Sequence, residues 1–199
     1  LLLLIGGAGD SFEDTLIAHE ALRELHSRHF GYVIGVLKPY AANFGTVAID
    51  PHEWATKVFA KAFKSATSSS ARIVTSIAMF YDLEDPIGFA QEIESILAPN
   101  GLWHFEQSYM PSMLRMCSYD TICHEHLEFY SLFAVQRILQ QAGLKIVDVQ
   151  MNAVNGGSFA VTAAAAKSTA PTNDTVIDWL LEQEDRMGLH TPRPYREFE

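Results

Sequence analysis

The chain has 199 residues, 48% hydrophobic and 19% charged, with a formal charge of −10 from 14 Lys+Arg against 24 Asp+Glu. That composition is globular rather than disordered, supplies one principal core, and contains no apolar run of the ~20 residues that a membrane span needs. An acidic chain without a Lys/Arg run repels a phosphate backbone, and two cysteines, Cys117 and Cys123, are too few for a disulfide scaffold, so the expectation is a cytoplasmic protein with no nucleic acid or membrane partner.

In chain order, apolar runs bounded by turn residues alternate with helix-period segments, the pattern of a parallel sheet covered by helices. The fold class expected is α/β: a Rossmann-like, mostly parallel sheet of about seven strands, helices on both faces, the last strand antiparallel. Residues 1–5 lack the basic flank of a signal peptide and read as the first strand. Further strands are expected at 32–37, 46–49, 72–78, 102–106, 145–150 and 158–165, and helices at 11–29, 53–65, 85–97, 127–142 and 173–187. Gly143 supplies a left-handed cap after the fourth helix. Asn155-Gly156-Gly157 is a turn that makes the last two strands antiparallel. The Ser/Thr/Pro-rich stretch 167–173 divides a core over 1–166 from a linker and helix over 167–199. With no initiator Met, and with a helix starting at its last residues, the sequence is expected to be part of a longer protein.

The first strand runs into Gly6-Gly7-Ala8-Gly9 and then a helix. Glycines there let backbone N–H groups approach a ligand at the strand's carboxyl edge, although the same residues make an ordinary strand-to-helix loop. The second strand ends without the acid that would hold a ribose; Asp50 is a substitute candidate that also reads as a helix cap. The fourth strand ends in Ser76, Ala78, Met79, Phe80 and Tyr81, where an open sheet binds ligands, or where the same side chains pack on the next helix. After the fifth strand come Glu106 and Tyr109, and then a loop without structure of its own leads to His124-Glu125-His126. Three readings of that cluster stand open: a general base oriented by Glu125 or its neighbour, a metal-binding His-x-His pair short of ligands, and a helix cap. His104, alternating with Trp103 and Phe105, reads as a core histidine. Asn155 and Ser158 offer polar groups at the hairpin.

Four segments, Thr75 to Pro86, Glu106 to Pro111, Tyr119 to His126 with Tyr130-Ser131, and Asn155 to Ser158, resemble the class I S-adenosylmethionine-dependent methyltransferases, and within them the sugar C-methyltransferases that act on nucleotide-linked keto-deoxyhexoses. The resemblance is carried by residues 72–158. It implies that His126 is a base with Glu125 supporting it and His124 lining the site. It further implies that S-adenosylmethionine is held by Gly6, Gly7, Gly9, Asp50, Ser76, Ala78, Met79 and Phe80. A small nucleotide-sugar substrate would meet Tyr81, Glu106, Tyr109, Tyr119, Asn155 and Ser158, and no metal is called for. The alternatives are a non-catalytic α/β binding module and a nicotinamide-dependent oxidoreductase, which the strand, glycine turn and helix also suggest.

Overall fold

The computed structural model describes residues 2–6, 33–36, 70–124 and 126–198. The expected strand at 46–49 and the helices at 11–29 and 53–65 lie outside the described residues, as do Gly7, Gly9, Asp50 and Glu125. Six described strands form one sheet: β1 (Leu2–Gly6), β2 (Val33–Val36), β3 (Ala71–Ile77), β4 (Leu97–Ser108), β5 (Leu144–Asn152) and β6 (Ser158–Ala165), in the order β2-β1-β3-β4-β6-β5. The first four are mutually parallel, and β6 runs antiparallel to both β4 and β5. The hairpin expected at Asn155-Gly156-Gly157 therefore forms, and β6 inserts between β4 and the edge strand β5.

Between β3 and β4 lies α1 (Pro86–Ile96), which starts where Asp85 accepts a hydrogen bond from the Gly88 N–H at 2.8 Å and Pro86 occupies the first turn. Next comes α2 (Met110–Met116), inside the stretch expected to lack structure; Pro111 opens it, and Cys117 closes it in the left-handed conformation. Helix α3 (Leu132–Gln141) ends before Gly143, whose φ of +78° is the left-handed cap that the sequence suggests. The start of α3 differs from the expected residue 127. Leu127 and Glu128 donate their N–H groups to the Tyr81 carbonyl, and the Tyr130 carbonyl accepts from Met110, so residues 127–130 stay extended until Ser131 caps the helix through Ala134 N–H. Helices α4 (Asp174–Met187) and α5 (Arg193–Arg196) complete the described elements. No helix among the described residues is long and apolar enough to cross a membrane.

The core sits where one face of β4 meets α1 and α3. Alternation along β4 buries Trp103, Phe105 and Gln107, continues to Tyr109 just past the strand, and turns His104 and Glu106 to the opposite face. Phe80 joins that core, its ring 5.5 Å from Trp103, 5.2 Å from Phe105 and 5.4 Å from Tyr130 between centroids. Burying one such side chain contributes about 1.5–3 kcal/mol.

Candidate active site

Parallel order reverses between β1 and β3, because the chain passes from β1 outward to β2 and returns to β3 on β1's other side. Open α/β sheets bind ligands outside the carboxyl ends at such a reversal. Gly6 pairs with Ile77 at that point, and the next residue, Ala78, adopts φ +51° while its N–H donates to the Glu106 carbonyl at 2.9 Å. A non-glycine residue in the left-handed region costs on the order of 1–2 kcal/mol, a strain that clusters at ligand sites. The topology therefore fits a nucleotide-type cofactor, and the backbone at Gly6 and at Ile77 to Ala78 stands at the reversal point.

Three side chains expected beside that cofactor, Ser76, Met79 and Phe80, are buried. Met79, which precedes the short 3-10 turn Phe80–Asp82, and Phe80 within it belong to the hydrophobic core. Ser76 is buried, and its hydroxyl accepts the Trp103 indole N–H at 2.9 Å. Two expected substrate residues are likewise engaged inside the protein. Ser158 donates its hydroxyl to the Val154 carbonyl at 3.0 Å, and the Tyr109 hydroxyl donates to Glu184 at 2.8 Å. Tyr109 is held protonated by burial first and by the Glu184 charge second. Tyr119 is half exposed, with its ring 4.6 Å from that of Phe198, and Asn155 sits exposed in the left-handed region at φ +49°.

His126 and Tyr81 do come together. Their ring centroids lie 4.1 Å apart, and the backbone bonds from Leu127 and Glu128 to the Tyr81 carbonyl fasten the segment after His126 to the 3-10 turn that follows β3. His126 Nδ1 lies 2.8 Å from the carbonyl oxygen of Thr121. A carbonyl only accepts, so Nδ1 carries the hydrogen and the neutral ring presents its lone pair at Nε2. Burial pushes the Tyr81 phenol up to about 12, with Asp82 and Cys123 adding to it, so Tyr81 remains a hydrogen-bond donor at neutral pH. His124 is exposed. Among the described residues no three His, Cys, Asp or Glu side chains gather as a metal site.

Sequence reasoning missed Thr121, because a backbone carbonyl leaves no side-chain signature. It also missed Gln107, whose amide oxygen and nitrogen are buried without a hydrogen-bond partner among the described residues, as is the Tyr130 hydroxyl. His104 is a satisfied interior group: its Nδ1 meets Thr162 Oγ1 at 2.9 Å, and burial lowers its proton affinity against the pull of Glu106 and Asp148.

Comparison with known proteins agrees with this architecture. Residues 20–149 match a family model described as a methyltransferase domain, and residues 153–199 match one described as a C-methyltransferase C-terminal domain. The chain is 34% identical over 128 residues to the C-methyltransferase NovU of Streptomyces niveus, an alignment covering 64% of the chain and 30% of that protein. The described fold resembles LepI in complex with SAM (TM-score 0.57, 15% identity, 83% of this chain and 42% of that one). It also resembles a SAM-dependent methyltransferase from Anabaena variabilis (TM-score 0.51, 13% identity, covering 83% and 77%). The chain thus spans less than half the length of NovU and of LepI. With a sheet order that reverses between β1 and β3 and a methyltransferase-domain model covering more than half of the sequence, the chain belongs to the S-adenosylmethionine-dependent methyltransferases.

Proposed function

We propose that the protein transfers a methyl group to a carbon of a nucleotide-linked keto-sugar, with His126 as the base. The observation that carries this reading is the Nδ1 contact to the Thr121 carbonyl, which fixes the tautomer with Nε2 as proton acceptor. A C–H next to a ketone is acidic enough for an imidazole to remove. The C–H electron pair becomes the enolate, the proton stays on Nε2, and the charge gained by the ring is met by the carbonyl dipole at Nδ1. Tyr81, beside the ring and still protonated, has a hydroxyl suited to the ketone oxygen as its charge grows. S-adenosylmethionine supplies the electrophilic methyl group, and the backbone at Gly6 and Ala78, with Gly7, Gly9 and Asp50, is the proposed set that holds it. Glu125 and His124 complete the proposed reactive set, and Glu106, Tyr119 and Asn155 line the proposed substrate side.

The test is His126→Asn in the full-length protein, assayed by transfer of labelled methyl from S-adenosylmethionine to a nucleotide-linked keto-sugar. General-base catalysis contributes roughly 10²–10⁴-fold. We expect a fall of that size in kcat with cofactor affinity retained, and hydrogen exchange at the carbon beside the ketone to vanish in parallel. A variant with undiminished exchange would remove His126 from the mechanism.

A further inference from the structure

Among the described residues, the buried side-chain atoms without a hydrogen-bond partner are Thr75 Oγ1, both amide atoms of Gln107 and the Tyr130 hydroxyl. Thr75 sits mid-strand, paired with His104. Gln107 and Tyr130 stand instead at the carboxyl end of the sheet. Gln107 is the penultimate residue of β4, and the carbonyl of Glu106 before it accepts the Ala78 N–H. The Tyr130 carbonyl accepts from Met110, just past the same strand, and the Tyr130 ring packs on Phe80, whose ring also meets Phe105, two residues before Gln107. Phe80 and Tyr81 are consecutive, so Tyr130 packs on the residue next to the one that meets His126.

Such atoms are rare in native proteins, because burial strips water from a polar group without returning a bond. Gln107 is 2% and Tyr130 4% exposed, and the neighbours of Gln107 are apolar: Phe105 precedes it on the same face of β4, Phe159 is its partner across the sheet, and both are wholly buried. Met and Phe would occupy the two positions with nothing left unpaired. Burial, with the Glu128 charge adding to it, keeps the Tyr130 phenol protonated, so it offers a donor, while the Gln107 amide offers donors and an acceptor. A ligand carbonyl would leave Gln107 Oε1 without a hydrogen; a ligand hydroxyl donates to it and accepts from Nε2 or from the Tyr130 hydroxyl. An apolar wall with a few fixed polar groups is the usual make-up of a small-molecule site.

We infer that Gln107 and Tyr130 are acceptor-binding residues, which take up a hydroxyl group of the methyl acceptor and so orient it toward His126. The inference rests on the acceptor and the base proposed above. In the free protein both side chains are covered, and the acceptor reaches them by displacing residues 127–130, which form no helix or strand and expose Leu127 and Phe129. Two unpaired groups lower the stability of the free protein, and the hydroxyl recovers that loss when it pairs with them.

Gln107→Met and Tyr130→Phe are made in the full-length protein, and transfer of labelled methyl from S-adenosylmethionine is measured with nucleotide-linked keto-sugars that differ by one ring hydroxyl. The wild type is expected to favour one hydroxylated acceptor over its deoxy counterpart by about ten- to a hundred-fold in kcat/KM, and each variant to lose most of that preference. Calorimetric affinity for S-adenosylmethionine should be unchanged and the urea midpoint equal to or above that of the wild type, a combination that a merely structural pair would not give. If the wild type methylates a nucleotide-linked keto-sugar without such a preference, or if both variants keep the preference, this inference alone is overturned; lower midpoints in variants that keep it would assign the two groups to a buried water. A wild type that methylates none of these sugars overturns the acceptor reading and this inference with it.

Discussion

Glu184 is 3% exposed and accepts three hydrogen bonds, from the Tyr109 hydroxyl at 2.8 Å, the Leu132 N–H at 2.5 Å and the Phe133 N–H at 2.9 Å. It thereby caps the first turn of α3 from outside the helix and ties α4 to the end of β4. Glu184→Ala orphans all three donors. Phe133 is exposed, so water takes over its N–H, but Tyr109 and Leu132 are buried, and an unsatisfied buried donor costs about 1–3 kcal/mol. The two together give about 2–6 kcal/mol. Ser131→Ala removes only the neutral cap to Ala134 N–H and is expected to cost about 1 kcal/mol. Urea unfolding at constant m-value measures both, and a cycle with Tyr109→Phe isolates the hydroxyl bond. A Glu184→Ala cost no larger than that of Ser131→Ala, or strict additivity with Tyr109→Phe, would refute the claim that this carboxylate organises the junction.

Two further outcomes are expected. Gly157 adopts φ +133°, and an added Cβ would lie 2.8 Å from Ser112 Cβ, whereas at Gly156, φ +77°, it would meet Ser118 Oγ at 3.9 Å, an ordinary contact; Gly157→Ala should therefore cost about 1–3 kcal/mol and exceed Gly156→Ala, a ranking that equal urea midpoints would contradict. His104 is held below its ordinary value by burial, so the unfolded chain binds more protons there than the folded one. Its contribution is complete above about pH 6.5 and is lost as pH falls through the lowered folded value; His104→Asn should flatten the stability–pH slope in that window, and an unchanged slope would show that Glu106 and Asp148 offset the burial.

Much of the sheet is legible in the sequence because its signals are local. The alternation from Trp103 to Tyr109 and the Asn-Gly-Gly turn each specify their element without help from distant residues. Residues 127–130 are the opposite case: Leu127, Glu128 and Tyr130 suit a helix by composition, yet their backbone groups are taken by Tyr81 and Met110, far away in sequence. The aromatic run after β3 shows the same limit. Composition places Met79, Phe80 and Tyr81 at the ligand edge, but only packing against Trp103 and Phe105 decides that Phe80 turns inward and Tyr81 meets His126. Glu184 had a readable signal that its acidic neighbours hid. It follows Ile177 and Leu180 by seven and four positions, on the buried stripe of α4 rather than on its solvent face.

That stripe changes how the two halves of the chain depend on each other. The sequence reads a boundary in the Ser/Thr/Pro stretch after β6, with a linker and helix over 167–199 beyond it. Yet β6 lies between β4 and β5, Gly157 accepts the Tyr109 N–H, and Glu184 holds both Tyr109 and the start of α3. Tyr109 precedes α2, whose Met113 touches Thr121, and Thr121 orients His126. The imidazole's tautomer thus rests on a backbone carbonyl whose position depends on contacts made by residues after 150. Motif reading finds the proposed base because its chemistry lies in the side chain; the contact that leaves Nε2 as the acceptor nitrogen lies in the packing of α2 between that loop and α4.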